Sequence, residues 1–372
     1  MMIGVPKEAR HIEHRVGLTP FGAGRLIADR HEVYVEHDAG AAGHFADADY
    51  IKVGAKVAYT TEEIYQRADL VCKVGRLSAD VVDRLRPQTA LCGFMHLAVM
   101  PKEVLLRLKD KEMTLIGYEI VQNKEGRRPI LFAVSEVAGP VAIQTAARLL
   151  EHGAGGRGLL LGGVPGVPPA TVVVVGAGNA GQAAARAAIN VGAHVIILDK
   201  EVERLRVAHQ IFDGRVATSM ASERNLAHYT AIADVLIGAV LSPGERSPDL
   251  VSQKMVESMK TGSVIIDLSI DQGGCVETSR PTTLDNPTYK AHGVTHFCVP
   301  NITAAVPRTT SRVLTLAALP HLARLAHDGV AKALAEDAGL ARGVYMYRGR
   351  VVHRSVAAAL GEKQDDLSAL LK

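Results

Sequence analysis

Cysteine is scarce in this chain. Its 372 residues hold four, Cys72, Cys92, Cys275 and Cys298, scattered and never in a CxxC pair. That excludes a disulfide framework and a cysteine metal ribbon, and it predicts buried, reduced thiols in a cytoplasmic protein. Metal motifs are missing too: neither HxH nor HExxH occurs, and HIEH (11–14) has no third ligand near it in sequence. No GxSxG marks a serine hydrolase. No apolar run approaches the roughly 18 residues of a membrane span. The opening MMIGVPKEAR lacks the pattern of a secretory signal. Charge of one sign is also lacking: 42 basic against 39 acidic residues leave +3. So even a balance offers neither a nucleic-acid groove nor an anionic membrane partner, and small molecules are the expected ligands. No short repeat or low-complexity tract appears.

What is present is alternation. MMIGVP, EVYVEH (32–37), ADLVCKV (68–74), TALCGFM (89–95) and TLIGYEIV (114–121) read as short strands. Segments of helical spacing lie between them, among them FGAGRLIADR (21–30) and PKEVLLRLKDK (101–111). A long helix over 135–153 follows, with Ser135 as its N-cap, and a Gly/Pro-rich loop (161–170) leads on. A second series puts strands near 172–175, 194–198, 215–219, 234–238, 263–268 and 294–298. The tail from 311 reads as helix, kinked or restarted at Pro320, with no further strand rhythm. The fold class is therefore α/β: two doubly wound, parallel-sheet domains. The order predicts a discontinuous catalytic domain, 1–130 and 307–372, with a Rossmann domain, 131–306, inserted in it.

The stretch VVVVGAGNAG (172–181) gives the inserted domain its chemistry. Gly176 permits a tight turn, Gly178 lets a pyrophosphate approach the backbone, and Gly181 allows close packing of the following helix. The next strand ends at Asp199, 23 positions after Gly176, where a carboxylate accepts ribose hydroxyls and repels a 2′-phosphate. That favours NAD over NADP, with Arg204 and Arg206 as the nearby charges that could offset it. Ligands of such sheets lie beyond the carboxyl ends of the strands, and three polar residues fall there: His96, Asp271 and Asn301. A histidine so placed exchanges protons near neutral pH. Singly, each also reads as an ordinary structural residue, and IDQGG (270–274) reads as a turn in which Asp271 bonds its own backbone. The residues by themselves reach a nicotinamide-dependent oxidoreductase and stop there.

Seven blocks in order carry a resemblance: IGVPKEARHIEHRVGLTP (3–20), HLA (96–98), SEVAG (135–139), GGRGLLLGGVPGVPPA (155–170), LIGAVLSPG (236–244), DQGGCVETSRPTT (271–283) and AVPRTTS (305–311). Together they resemble the bacterial alanine dehydrogenase family over nearly the whole chain. The resemblance implies reversible, NAD-dependent oxidative deamination of L-alanine, an inserted NAD domain and a hexamer. It assigns catalysis to His96 and Asp271 and the substrate carboxylate to Arg15. Ser135, Asp199, Arg204, Val240, Leu241, Arg280 and Asn301 match positions lining the family's cofactor site, Asn301 also facing substrate. Two positions depart. KVGRL (73–77) stands where the family has KVKEP, so Lys73 survives but the substrate lysine is Gly75, followed by Arg76; and Val134 replaces a pocket methionine. Loss of that cation implies weak alanine binding and spare volume beside Arg15. The alternatives are an imine-reducing or other amino-acid dehydrogenase, a silent NAD-binding paralogue, or a transhydrogenase-like subunit with a membrane partner.

Overall fold

The computed structural model describes residues 1–8, 13–241 and 246–372. His11 and Ile12 of HIEH, and the last three residues of LIGAVLSPG, lie outside the described residues. The chain forms two compact units, one of residues 1–8, 13–134 and 306–372, the other of 135–241 and 246–305.

The first unit opens with six parallel strands: β1 (Met2–Val5), β2 (Glu32–Glu36), β3 (Lys56–Ala58), β4 (Leu70–Cys72), β5 (Ala90–Gly93) and β6 (Thr114–Gly117). Side chains alternate faces along a strand, and both faces are apolar here because both are covered. Val33, Val35, Leu70 and Cys72 enter one core with Leu26 and Leu322 from flanking helices. Tyr34, Val71 and Leu91 enter the other, with Ile64, Leu105 and Leu108. The strand order β3-β2-β1-β4-β5-β6 reverses between β1 and β4.

The second unit contains β7 (Thr171–Val175), β8 (His194–Asp199), β9 (Ala217–Met220), β10 (Val235–Gly238), β11 (Val264–Asp267), β12 (Thr288–Ala291) and β13 (Val294–Phe297). Its order, β12-β13-β11-β10-β7-β8-β9, is the doubly wound nucleotide-binding arrangement with an added edge strand. The reversal falls between β7 and β10. The edge strand β12 runs antiparallel to β13.

Three expectations change. The helix expected to start at Ser135 is Pro129–Leu149, so Ser135 lies in its interior and caps nothing. Proline is tolerated in a first turn, where its missing N–H has no partner to lose, and the apolar run after it extends the helix upstream. By length and composition this 21-residue helix could cross a membrane, although no apolar run of that size was read in the sequence. Its Gly139 lies against protein: a Cβ there would be 2.3 Å from the Ala184 amide nitrogen. The tail is not purely helical. After the helix Pro307–Asp328, which runs through Pro320 without restarting, β14 (Val344–Tyr347) extends the first sheet antiparallel to β6, and β15 (Arg350–Val351) pairs antiparallel with β14. Arg348 and Gly349 turn that hairpin at φ values of 46° and 74°, the left-handed pair a tight two-residue turn requires. β3, β12, β14 and β15, two to four residues long, were not read from the sequence.

Candidate active site and cofactor cradle

In the first unit the candidate carboxylate-binding residues follow β1 and β4, where the strand order reverses, and His96 follows β5. After β1, Glu8 reaches across to the chain leaving β4: its carboxylate accepts from Lys73 Nζ at 2.5 Å and from the Val74 amide at 2.7 Å. Lys73 and Glu8 are both buried, and Lys73 stays protonated; burial opposes its charge, and Glu8 outweighs burial and raises its pKa. Arg15 is 1% exposed, not the solvated loop charge its sequence context alone suggests. Glu13 takes two of its donors, Nε at 2.7 Å and Nη2 at 2.5 Å, in a bidentate pair. A cavity of about 340 Å³ borders them, lined by Lys7, Glu8, Glu13, His14, Arg15 and Asp38 with three alanines.

Gly75 is buried beside the same two carboxylates. A Cβ there would sit 3.2 Å from Glu8 Oε2 and 3.8 Å from Glu13 Cγ. A side chain at 75 would therefore meet the Glu8 carboxylate first. Arg76 is exposed while its neighbours Gly75 and Leu77 are buried. Val134 is buried and belongs to the same core as Phe94 and Tyr118.

His96 follows β5 and is 8% exposed. Its backbone is left-handed, at φ 46° and ψ 47°, which costs a residue with a Cβ roughly 1–2 kcal/mol. Glu119, fully buried two residues beyond β6, holds that turn: Oε1 accepts the His96 amide at 2.6 Å and Oε2 the Met95 amide at 3.3 Å. Tyr345 of β14 donates its hydroxyl to Oε1 at 2.9 Å. The imidazole lies nearly parallel to Phe94, ring centroids 6.2 Å apart. Its Nδ1 is buried without a hydrogen-bond partner among the described residues, as is the Tyr118 hydroxyl. Buried polar atoms are rarely left unmatched, so an orphan at a strand end points to a ligand.

The second unit holds the glycine turn. Gly176 is at φ 108°, and a Cβ there would lie 2.4 Å from the Ala239 carbonyl oxygen. At Gly181 a Cβ would lie 1.9 Å from the Gly176 oxygen, so the helix can pack this closely only on glycine. Gly178 differs: nothing lies within 4 Å of its added Cβ. It caps the helix Asn179–Asn190 with no side-chain hydrogen bond, leaving the first amides to an anion. The residues present therefore fit a pyrophosphate. Asp199 ends β8, 6% exposed, its Oδ2 accepting the Ala177 amide at 2.7 Å and its Oδ1 that of Glu201 at 2.9 Å. Those bonds fix a carboxylate whose remaining lone pairs suit ribose hydroxyls. Arg204 is paired with Glu201 and Arg206 with Glu203, both in exposed pairs at the start of the following helix.

Asp271 lies in the short 3-10 helix Leu268–Gln272 after β11. Its Oδ1 accepts the amide of Asn301 at 2.9 Å, joining the loops after β11 and β13. The local turn belongs to Asp267, which accepts from the Ser269 and Cys275 amides and whose pKa burial pushes up. Ser269 Oγ in turn accepts the Val240 amide at 2.9 Å, while Leu241 is exposed. Arg280 lies over the Tyr289 ring at 4.2 Å. Sequence reasoning missed Glu8, Glu13, Glu119 and Asp267. Only the two-residue offset of Glu13 from Arg15 could have signalled any of them; the rest meet their partners through the sheet.

Comparison with known proteins agrees with this layout. Residues 4–138 match the family model described as alanine dehydrogenase/PNT, N-terminal domain, and residues 142–354 its C-terminal domain. Among curated relatives, alanine dehydrogenase of Halomonas elongata is 42% identical over 372 residues, all of both chains. That of Methanococcus maripaludis is 42% identical over 96% of each. A solved L-alanine dehydrogenase superposes with a TM-score of 0.89 at 42% identity, covering 97% of this chain and 99% of that one. A transhydrogenase from Sinorhizobium meliloti, at 23% identity and TM-score 0.78, shares the fold.

Proposed function

Because this chain belongs to the alanine dehydrogenase/PNT family, we propose that it is an NAD-dependent amino-acid dehydrogenase. It interconverts L-alanine, NAD and water with pyruvate, ammonium, NADH and a proton. Gly176, Gly178, Gly181 and the first helix amides would hold the pyrophosphate, and Asp199 the ribose. Ser135, Val240, Leu241, Arg280 and Asn301 would line the rest of the cofactor site, and Arg204 stands just beyond Asp199. When bound, NAD supplies the hydride acceptor.

The chain's own residues do the remainder. Arg15 binds the carboxylate, sharing its guanidinium with Glu13. His96 takes a proton from the water that adds to the imine carbon and returns one to the departing amine. Asp271 is the orienting carboxylate that the family resemblance assigns. The observation that carries the reading is His96, buried at a strand end with an imidazole nitrogen that has no hydrogen-bond partner among the described residues. Full-length identity to named alanine dehydrogenases supports alanine over another amino acid, and the Asp199 carboxylate supports NAD over NADP. A cytoplasmic homo-oligomer, hexameric on the family resemblance, is part of the same reading.

The test follows NADH absorbance with L-alanine and a panel of other amino acids. His96→Ala should lower kcat by roughly 10²–10⁴ and leave NAD affinity within a few-fold. Unchanged turnover would return His96 to a structural role. Preference for a different amino acid would reject alanine as substrate.

A further inference from the structure

The turn that presents His96 is built by a carboxylate from the neighbouring strand. β5 and β6 are parallel and in register at Gly93 and Gly117, so the chains leaving them run side by side. Glu119 is fully buried and spends both oxygens on consecutive amides, Met95 and His96. The second of those amides belongs to a residue in the left-handed region, where an L side chain rarely rests without support. A third donor, the Tyr345 hydroxyl, completes the set at Oε1. Burial, then the Glu119 charge, holds that phenol protonated, so it can only donate here.

We propose that Glu119 is a positioning residue for the reaction: with Tyr345 it clamps the Met95–His96 backbone so that the His96 imidazole points at the reacting atoms. The clamp touches no substrate and acts through His96 alone, so this inference rests on the proton-transfer role given to His96. Glutamine at 119 keeps one acceptor oxygen; with that oxygen on the His96 amide and the Tyr345 hydroxyl, its NH₂ faces the Met95 N–H, and that contact becomes a repulsion. Misaim by a fraction of an ångström slows proton transfer without altering how substrate or cofactor binds.

The test is a double-mutant cycle on the full chain with Glu119→Gln, Tyr345→Phe and His96→Ala, reading kcat, KM for L-alanine, NADH affinity and Tm. E119Q should lower kcat about 10–100-fold, with KM and NADH affinity within about threefold. In the His96→Ala background the same change should cost less than about threefold, because the group it aims is gone. Tyr345→Phe, which removes one hydrogen bond and no backbone contact, should lower kcat a few-fold and be similarly silent without His96. Equal losses with and without His96, or E119Q turnover within twofold of the natural chain, would overturn the proposal. If E119Q fails to fold, Tyr345→Phe decides, and unchanged kcat there overturns it. If His96→Ala itself turns over normally, the functional reading fails and removes the basis of this one, an outcome the cycle separates from the others.

Discussion

At the scale of single residues, the substrate side is a ledger of charges. Lys73 is paired with Glu8 and Arg15 with Glu13, both pairs buried, so each of these two cations already faces a carboxylate before substrate arrives. Gly75 is where the family resemblance places a lysine, and a Cβ there would lie 3.2 Å from the Glu8 carboxylate and 3.8 Å from Glu13 Cγ. A lysine introduced there would take up their charge and loosen Glu13 from Arg15. We therefore expect Gly75→Lys to raise kcat/KM for L-alanine about tenfold, on the order of 1.4 kcal/mol, mostly through KM. Gly75→Ala, which meets Glu8 and brings no charge, should give no gain. Steady-state kinetics of the two variants check this. Equal values for Lys and the natural Gly would mean that Arg15 alone suffices for the carboxylate.

At the scale of the element, the turn between β7 and its helix separates folding from binding. Gly181→Ala drives a methyl into the Gly176 carbonyl, where backbone has to move, so Tm should fall and NAD binding with it. Gly178→Ala meets nothing in the protein, so Tm should hold while NAD affinity drops tenfold or more, because the methyl stands where pyrophosphate approaches the backbone. Calorimetry and NADH fluorescence titration read the two effects apart. A Gly178→Ala protein that binds NAD normally would refute the cradle. This turn was legible because its glycine spacing, strand and helix sit within thirty residues of chain. So were Asp199, ending the next strand, and His96, ending a run of buried residues. The clamp on His96 was not, since Glu119 and Tyr345 lie 23 and 249 positions beyond it and meet it only through register with β6 and β14. The tail hairpin was hidden for a related reason: VYMY and RV each find their period only against a sheet already formed.

At the scale of the whole molecule, each unit carries a histidine whose pKa burial lowers: His296 in the middle of β13, and His321 in the helix Pro307–Asp328. The unfolded chain protonates near pH 6.5 and the folded one resists, so their contribution to stability is full above that pH. It is lost as pH falls from there toward the folded values. Asp267, pushed up by burial, acts in the opposite sense. Thermal melts from pH 8 to 5 should therefore show a steeper fall for the natural chain than for a His296→Gln, His321→Gln protein. Parallel curves would contradict the assignment. Tyr345 has a consequence in time as well as in space. Ribosomal synthesis delivers β5 and β6 long before residue 345, so the carboxylate that aims His96 waits through 226 further residues for its third donor. On the positioning role proposed here, the nascent chain can assemble both its sheets' parallel strands while still lacking the finished aim of its proton-transfer group. Full turnover therefore comes only once translation has passed the hairpin, the last few-fold in rate arriving with a residue made long after the strands that hold His96.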